Sequence, residues 1–325
     1  MLPDANTRRL LYKIAQVYYE DGLSQKQIGL RFGLSRIKVS RMLKQARVLK
    51  IVQITLAPGN ERTDRMEHEI EAAYGLDEAI VVSTEDATDQ KKLLHLLGSA
   101  AADCLVRSIQ GNETVAITWG HTLLAVVDAL PTGNWPDLHI VQSLGGLSQP
   151  DSKINAGDLA RRTAQALSAN LTLLSSPGIV ENKSIRDALK NDPQIKHTLS
   201  LAAKANIALV GIGAPSSASF SLGEILKKQD IHRLTSHGII GDIGLQFYND
   251  RGIQVIDEIH DQIIGLDLAQ YKAIPRVIAV AGGLEKVSAI RAAMKGKIIN
   301  VLVVDDVTAS ELLKPDKLPA LPQEN

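Results

Sequence analysis

From residue 78 onward the chain alternates short apolar runs with stretches of helical periodicity, and this alternation restricts the fold more than any other feature. Runs that read as strands occupy residues 79–82, 114–118, 139–144, 171–175, 207–211, 253–256, 277–281 and 301–304. Helical patterns fall between them at 91–109, 121–130, 157–169, 184–204, 285–295 and 308–314. Strands separated by helices predict a mostly parallel α/β sheet covered on both faces. No fixed-period repeat and no low-complexity tract interrupts the pattern.

The chain is 325 residues long, more than one core usually organises, so a second, smaller domain is expected ahead of the sheet. Residues 1–56 read as a helix-turn-helix domain with a winged-helix-like end. Residues 57–75 read as a linker and connecting helix, and residues 76–325 as an effector-binding and oligomerisation domain. In the first domain Leu10, Leu11, Ile14, Ala15, Val17 and Tyr18 have helical spacing, and Gly22 follows as a stop. Ser24 and Ser35 stand where two helix N-caps are wanted, and Gly33 sits at the tight turn between those helices. The second helix of the pair is expected over 36–47, with the run 51–56 as part of a wing. Gln25, Arg36, Lys38, Val39, Ser40, Arg41 and Lys44, with Ser24 and Ser35, form the candidate DNA-contact set of a major-groove helix. Arg36, Lys38, Ser40 and Arg41 are assigned to bases or phosphates, and Lys44 to phosphate.

Charge supports this placement. Residues 1–50 hold 11 Lys/Arg and 3 Asp/Glu, a net of +8, whereas the whole chain balances at 36 against 36, leaving −8 for the remainder. A local cation excess drives binding to phosphate backbones, and an acidic remainder stays off the DNA. The single cysteine, Cys104, lies in an apolar helical pattern and reads as a small core residue, consistent with a reducing cytoplasm. No leader and no bilayer-spanning run are expected. Low aromatic content argues against base-stacking platforms.

Ligands of such sheets bind beyond the carboxyl ends of the strands. Five strands here run into small residues: Thr118-Trp119-Gly120-His121-Thr122, Gly145-Gly146, Ser176-Pro177-Gly178, Gly211-Ile212-Gly213 and Gly282-Gly283. Backbone amides at such places favour anions, which points to a phosphorylated small molecule. Asn155, Asp242 and Lys286 stand near strand or helix ends and suit sugar hydroxyls, a carbonyl or a phosphate. Neither a GxGxxG fingerprint nor a GxxxxGK[ST] loop occurs, and His121, His139, His232, His237 and His260 lack metal-ligand spacing. No cofactor and no metal are expected.

Residues 14–28 and 33–43 resemble the N-terminus of SorC-type bacterial regulators of sugar catabolism. Similar signposts follow in order: Thr118-Trp119-Gly120, Gly145-Gly146, the run 208–213, Gly241-Asp242 with Phe247-Tyr248, and Ala281-Gly282-Gly283 with Lys286. The resemblance spans nearly the whole chain. It implies an effector domain related to sugar-phosphate isomerases and deaminases, assembled as a tetramer. It also implies that Gly120, His121 and Thr122 hold a phosphate or hydroxyl and that Asn155, Asp242 and Lys286 line the same pocket. Some members place a basic residue before the glycine pair, where this chain has Leu144. That departure disfavours a doubly phosphorylated effector or a Schiff base and leaves a sugar, polyol or singly phosphorylated sugar. The expected function is therefore effector-controlled binding to double-stranded operator DNA by a homo-oligomer without a membrane partner. The rival is a sugar-phosphate isomerase- or deaminase-like enzyme, but no base with an oriented partner is evident in the sequence. A purely architectural DNA-binding protein would leave the glycine-rich strand ends without a purpose.

Overall fold

The computed structural model describes residues 5–53, 61–85, 89–147, 155–215 and 228–315. It divides into two compact units, Met1–Gly59 and Asn60–Asn325, and each is described by itself.

Among its described residues the first unit has three helices: α1 (Ala5–Tyr19), α2 (Gln25–Phe32) and α3 (Arg36–Val48). Leu11, Ile14, Ala15 and Val17 of α1 meet Ile28 of α2 and Val39, Met42, Leu43 and Ala46 of α3 in one buried cluster. Ser24 caps α2 by a reciprocal box with Gln27, and Ser35 caps α3 by accepting from the Lys38 N–H. Gly33 is left-handed (φ 65°). A Cβ on Gly29 would come within 2.6 Å of the Leu34 carbonyl oxygen, so the turn closes only over glycine. Arg47 of α3 donates to the Tyr19 hydroxyl at 2.8 Å and ties the last helix to the first. The expected wing strand is not seen in 51–53, which form a bend with Ile51 and Val52 packed against the core. Residues 54–56 of that expectation, and 57–60 of the linker, lie outside the described residues.

The second unit begins with α4 (Glu61–Tyr74), followed by β1 (Glu78–Val82), α5 (Gln90–Ser108), β2 (Thr114–Ile117), α6 (His121–Ala129), β3 (His139–Gln142), α7 (Ala156–Leu167) and β4 (Asn170–Thr172). Then come α8 (Lys183–Asn191), α9 (Pro193–Ala203), β5 (Ile207–Gly211), α10 (Lys228–Ser236), β6 (Gly241–Ile243) and β7 (Gln246–Tyr248). The unit ends with α11 (Leu268–Ala273), β8 (Arg276–Val280), α12 (Val287–Lys295), β9 (Val301–Asp305) and α13 (Asp306–Leu313). Seven strands form one sheet in the order β1-β9-β8-β5-β2-β3-β4, with every pair parallel. Its strands are apolar on both sides, as burial beneath two helical layers requires. From β2 the chain steps outward to β3 and β4, then returns so that β5 pairs with the other edge of β2. The order thus reverses between β2 and β5, and a reversal opens a crevice at the carboxyl ends of the two strands.

Three expectations about this unit need correction, and one pair of strands was not foreseen. Helix α4 is part of this unit rather than a free connector. Its Glu71 and Glu67 carboxylates accept from the Ala79 and Val81 N–H groups at 3.0 and 2.8 Å, Ile70 is fully buried, and the Tyr74 hydroxyl donates to the Leu312 carbonyl. The two carboxylates satisfy donors that edge strand β1 would otherwise expose for pairing with another chain. The pattern at 184–204 is two helices, because Pro193 cannot continue α8 and Asp192 caps α9 instead. Residues 253–256 are not a strand; only Gln254 bridges Tyr248. The antiparallel pair β6–β7 was not expected, being three residues on each side of a two-residue turn.

Candidate functional site

The crevice between β2 and β5 holds a pocket. Trp119, Gly120, His121 and Thr122 line it after β2; Gly211, Ile212 and Gly213 after β5; Asp242 and Gly244 from the β6–β7 hairpin; and Lys286 from the start of α12. Gly120 is at φ 134°, a conformation side chains rarely adopt, and it leaves the N-terminus of α6 without a side-chain cap. The first-turn amides of α6 therefore border the pocket with the positive end of the helix dipole behind them.

Asp242 reaches the pocket through the hairpin. Backbone bonds between Gly213 and Asp242 run in both directions at 3.0 and 3.1 Å and join the hairpin to the end of β5. The hairpin turn is Gly244-Leu245, both residues at positive φ (57° and 63°), the geometry that matches strand twist in two-residue loops. Leucine at positive φ is strained. Burial of its side chain and a 3.1 Å bond from its N–H to Asp242 Oδ2 hold it in place. Asp242 Oδ1 has no hydrogen-bond partner among the described residues although the atom is buried, and the same is true of Thr118 Oγ1. Thr118 stands behind the pocket, its Cγ2 3.4 Å from where a Cβ on Gly244 would lie. A Cβ on Gly213 would lie 2.0 Å from Asp242 Oδ1, so the carboxylate is seated where only a glycine leaves room.

Burial raises the Asp242 carboxyl to about 6, opposed by the Leu245 N–H and the charge of Lys286. Burial likewise lowers Lys286, against the pull of Glu285 and Asp242. Buried polar atoms without partners are costly. Asp242 Oδ1 stands in the pocket with Thr118 Oγ1 behind it, beside an uncapped helix start and a partly buried lysine, an arrangement complementary to hydroxyl donors and an anionic group.

The remaining predicted effector residues are not among the pocket's lining. The Gly145 N–H donates to the Ile264 carbonyl, the Gly146 N–H to that of Ser176, and the Gly178 N–H to that of Gly146. A Cβ on Gly145 would meet the Pro177 carbonyl oxygen at 2.4 Å. Gly145, Gly146, Ser176 and Pro177 thus pack two loops together, and their expected role as an anion nest is corrected by these spent amides. Asn155 caps α7, accepting from the Gly157 N–H at 2.8 Å. Leu144 is fully buried and bridges Gly265. Trp119, Ile212 and Gly244 also line the pocket; the sequence marks the first two only as parts of strand-end stretches, not as effector contacts. Their apolar and glycine character carries no chemical signal until the chain is folded.

In the first unit Arg36, Lys38, Ser40, Arg41 and Lys44 are all exposed on α3. Ser24 and Ser35 are exposed with their hydroxyls engaged as caps, and Gln25 is half-buried at the start of α2. Val39 is fully buried. It belongs to the core, and its place in the DNA-contact set is withdrawn.

The chain thus pairs a three-helix unit of helix-turn-helix geometry with a parallel α/β unit that holds a crevice at its strand-order reversal. The family profile of the putative sugar-binding domain matches residues 59–314. The deoxyribonucleoside regulator of Bacillus subtilis is 28% identical over 95% of this chain and 99% of its own length. The sorbitol operon regulator of Klebsiella pneumoniae is 29% identical over 94% and 98%. The transcriptional regulator LsrR of an Escherichia coli strain is 30% identical over 93% of each chain. The crystal structure of full-length SorC from Klebsiella pneumoniae superposes with a TM-score of 0.72, at 28% identity over 95% of this chain and 100% of that one. The chain belongs to the SorC family of regulators that carry this sugar-binding domain. It is a transcriptional regulator, and the enzyme alternative is set aside because these near full-length relatives are named as regulators.

Proposed function

We propose that the chain controls a carbohydrate catabolic operon from the cytoplasm, binding operator DNA through α3 and a sugar, polyol or singly phosphorylated sugar in the β2–β5 crevice. The observation that carries this reading is Asp242 Oδ1, a buried oxygen of a pocket-lining residue that has no hydrogen-bond partner among the described residues, beside the uncapped start of α6. Ligand hydroxyls donate to Asp242, in front of the buried Thr118. An anionic group lies against the amides of Gly120, His121 and Thr122 and is neutralised by Lys286. Leu144 is fully buried outside the pocket's lining and offers no amine to a ligand carbonyl.

Regulation follows from linkage. A homo-oligomer, in this reading a tetramer, presents pairs of α3 helices to successive major grooves. An effector that binds one subunit arrangement more tightly shifts DNA affinity by that difference, typically ~1–3 kcal/mol. Thermal shift of the full chain against sugars, polyols and their phosphates tests the pocket. A stabilising compound recovered unchanged supports the proposal, whereas one that is consumed returns the enzyme reading. A chain that ignores every compound while binding DNA places the effector outside this chemical class.

A further inference from the structure

Helix α3 buries Val39, Met42, Leu43 and Ala46. At the α-helical ~100° per residue, the direction about opposite their mean is occupied by Ile37, Lys44 and Val48, with Arg41 close beside them. Ile37 is 68% exposed. A β-branched apolar side chain thus stands in the first turn, at the middle of the solvent face, flanked along the chain by Arg36 and Lys38 and followed on its own stripe by Arg41 and Lys44. Solvation gives no reason for an isoleucine there. Val48 is also exposed, but it lies about 16 Å further along the axis. Leu30 is on the preceding helix.

We propose that Ile37 is a specificity-determining residue that packs on the 5-methyl group of a thymine in the operator's major groove. This rests on the proposed reading of α3 as the groove helix. In such helices the N-terminal residues reach base edges, and the thymine methyl is the apolar group displayed there. The surrounding cations, within a segment of net charge +8 over residues 1–50, contact phosphates and bring the first turn into the groove. Methyl burial on Ile37 then discriminates thymine from cytosine, whose edge lacks that group.

The test enriches duplexes from a random pool with the full chain, then resynthesises the enriched sequence with deoxyuridine replacing thymidine one position at a time. Deoxyuridine keeps the pairing and removes only the methyl. At one thymine per half-site the wild-type chain loses about fourfold in affinity, the value of one buried methyl-sized group. Ile37→Ala binds the unmodified duplex more weakly and shows no further loss at that thymine, while its melting temperature stays that of wild type. Equal deoxyuridine effects in both proteins, or none in either, overturn the assignment of Ile37 and leave DNA binding intact. A change in oligomeric state on Ile37→Ala with an unaltered deoxyuridine response also overturns it and places the side chain between copies of the chain. A pool that yields no enriched sequence overturns the DNA-binding reading and this inference with it.

Discussion

Two glycine-rich clusters lie at the carboxyl ends of the same sheet and use their glycines for different ends. Between β3 and β4, Gly145, Gly146 and Gly178 give their amides to neighbouring carbonyls and let two loops touch. Between β2 and β5, Gly120 removes a helix cap, and Gly213 makes room for a carboxylate that has an oxygen to spare. The first cluster has settled its polar groups within the chain; in the second the Gly213 amide is also spent on the Asp242 carbonyl, but Asp242 Oδ1 and Thr118 Oγ1 have no partner among the described residues. A glycine after a strand therefore signals close approach, and only the hydrogen-bond accounting says whether the approaching partner is the chain or a ligand.

The strongest way to break this contrast is one added methyl in each cluster. Gly213→Ala places a Cβ where Asp242 Oδ1 now sits, and effector binding is expected to fall at least ~100-fold, the scale of a lost charged hydrogen bond with its geometry. Gly145→Ala meets the Pro177 carbonyl oxygen instead and is expected to cost about 1–3 kcal/mol of stability. The folded fraction still binds effector at wild-type affinity. Calorimetry on both variants separates the two outcomes, and a Gly145→Ala chain that folds normally but binds nothing would merge the clusters again.

Asp242→Asn sharpens the contrast through pH. Between 3.8 and about 6 the folded chain holds a proton on Asp242 that the unfolded chain has released. The cost of the buried charge is thus absent below about pH 4 and complete above about pH 6. Removing the charge is expected to stabilise the ligand-free chain by roughly 2–3 kcal/mol at pH 7, with the gain vanishing towards pH 4. The same variant is expected to bind effector about 10- to 100-fold more weakly. Melting curves across pH check the first effect and effector titrations the second. A smaller effect is expected from Lys286→Met, about tenfold on phosphorylated compounds and little on neutral polyols, read by comparing the two ligand series. The smallest is Gly146→Ala: its Cβ would find only the Ser176 carbonyl oxygen at 3.7 Å, and neither binding nor melting should move measurably.

The sheet and the helix-turn-helix were readable from the sequence because both rest on periodicity and on local caps. Val115–Ile117 and Ile207–Val210 are apolar without break, and Ser24, Gly33 and Ser35 act through neighbours only a few residues away. The β6–β7 hairpin was missed because three-residue strands carry no period, and its turn uses a leucine where glycine or asparagine is the usual signal. Asp242 and Lys286 were chosen for their chemistry and meet in the pocket. Asn155, chosen the same way, is a cap, since the sequence does not distinguish an amide that faces a ligand from one that faces its own backbone. Val39 belongs by helical phase to the apolar face of α3, and its full burial removes it from the candidate DNA-contact set.

The most direct test of the account is the coupling between its two units. With an effector from the thermal-shift panel and a duplex enriched from the random pool, the effector's dissociation constant is measured with and without saturating DNA. The account expects the two values to differ by about 5- to 150-fold, with the reciprocal change in DNA affinity on adding effector, and no such change in Gly213→Ala. Identical constants in the presence and absence of DNA would mean that the crevice binds its ligand without controlling the operator.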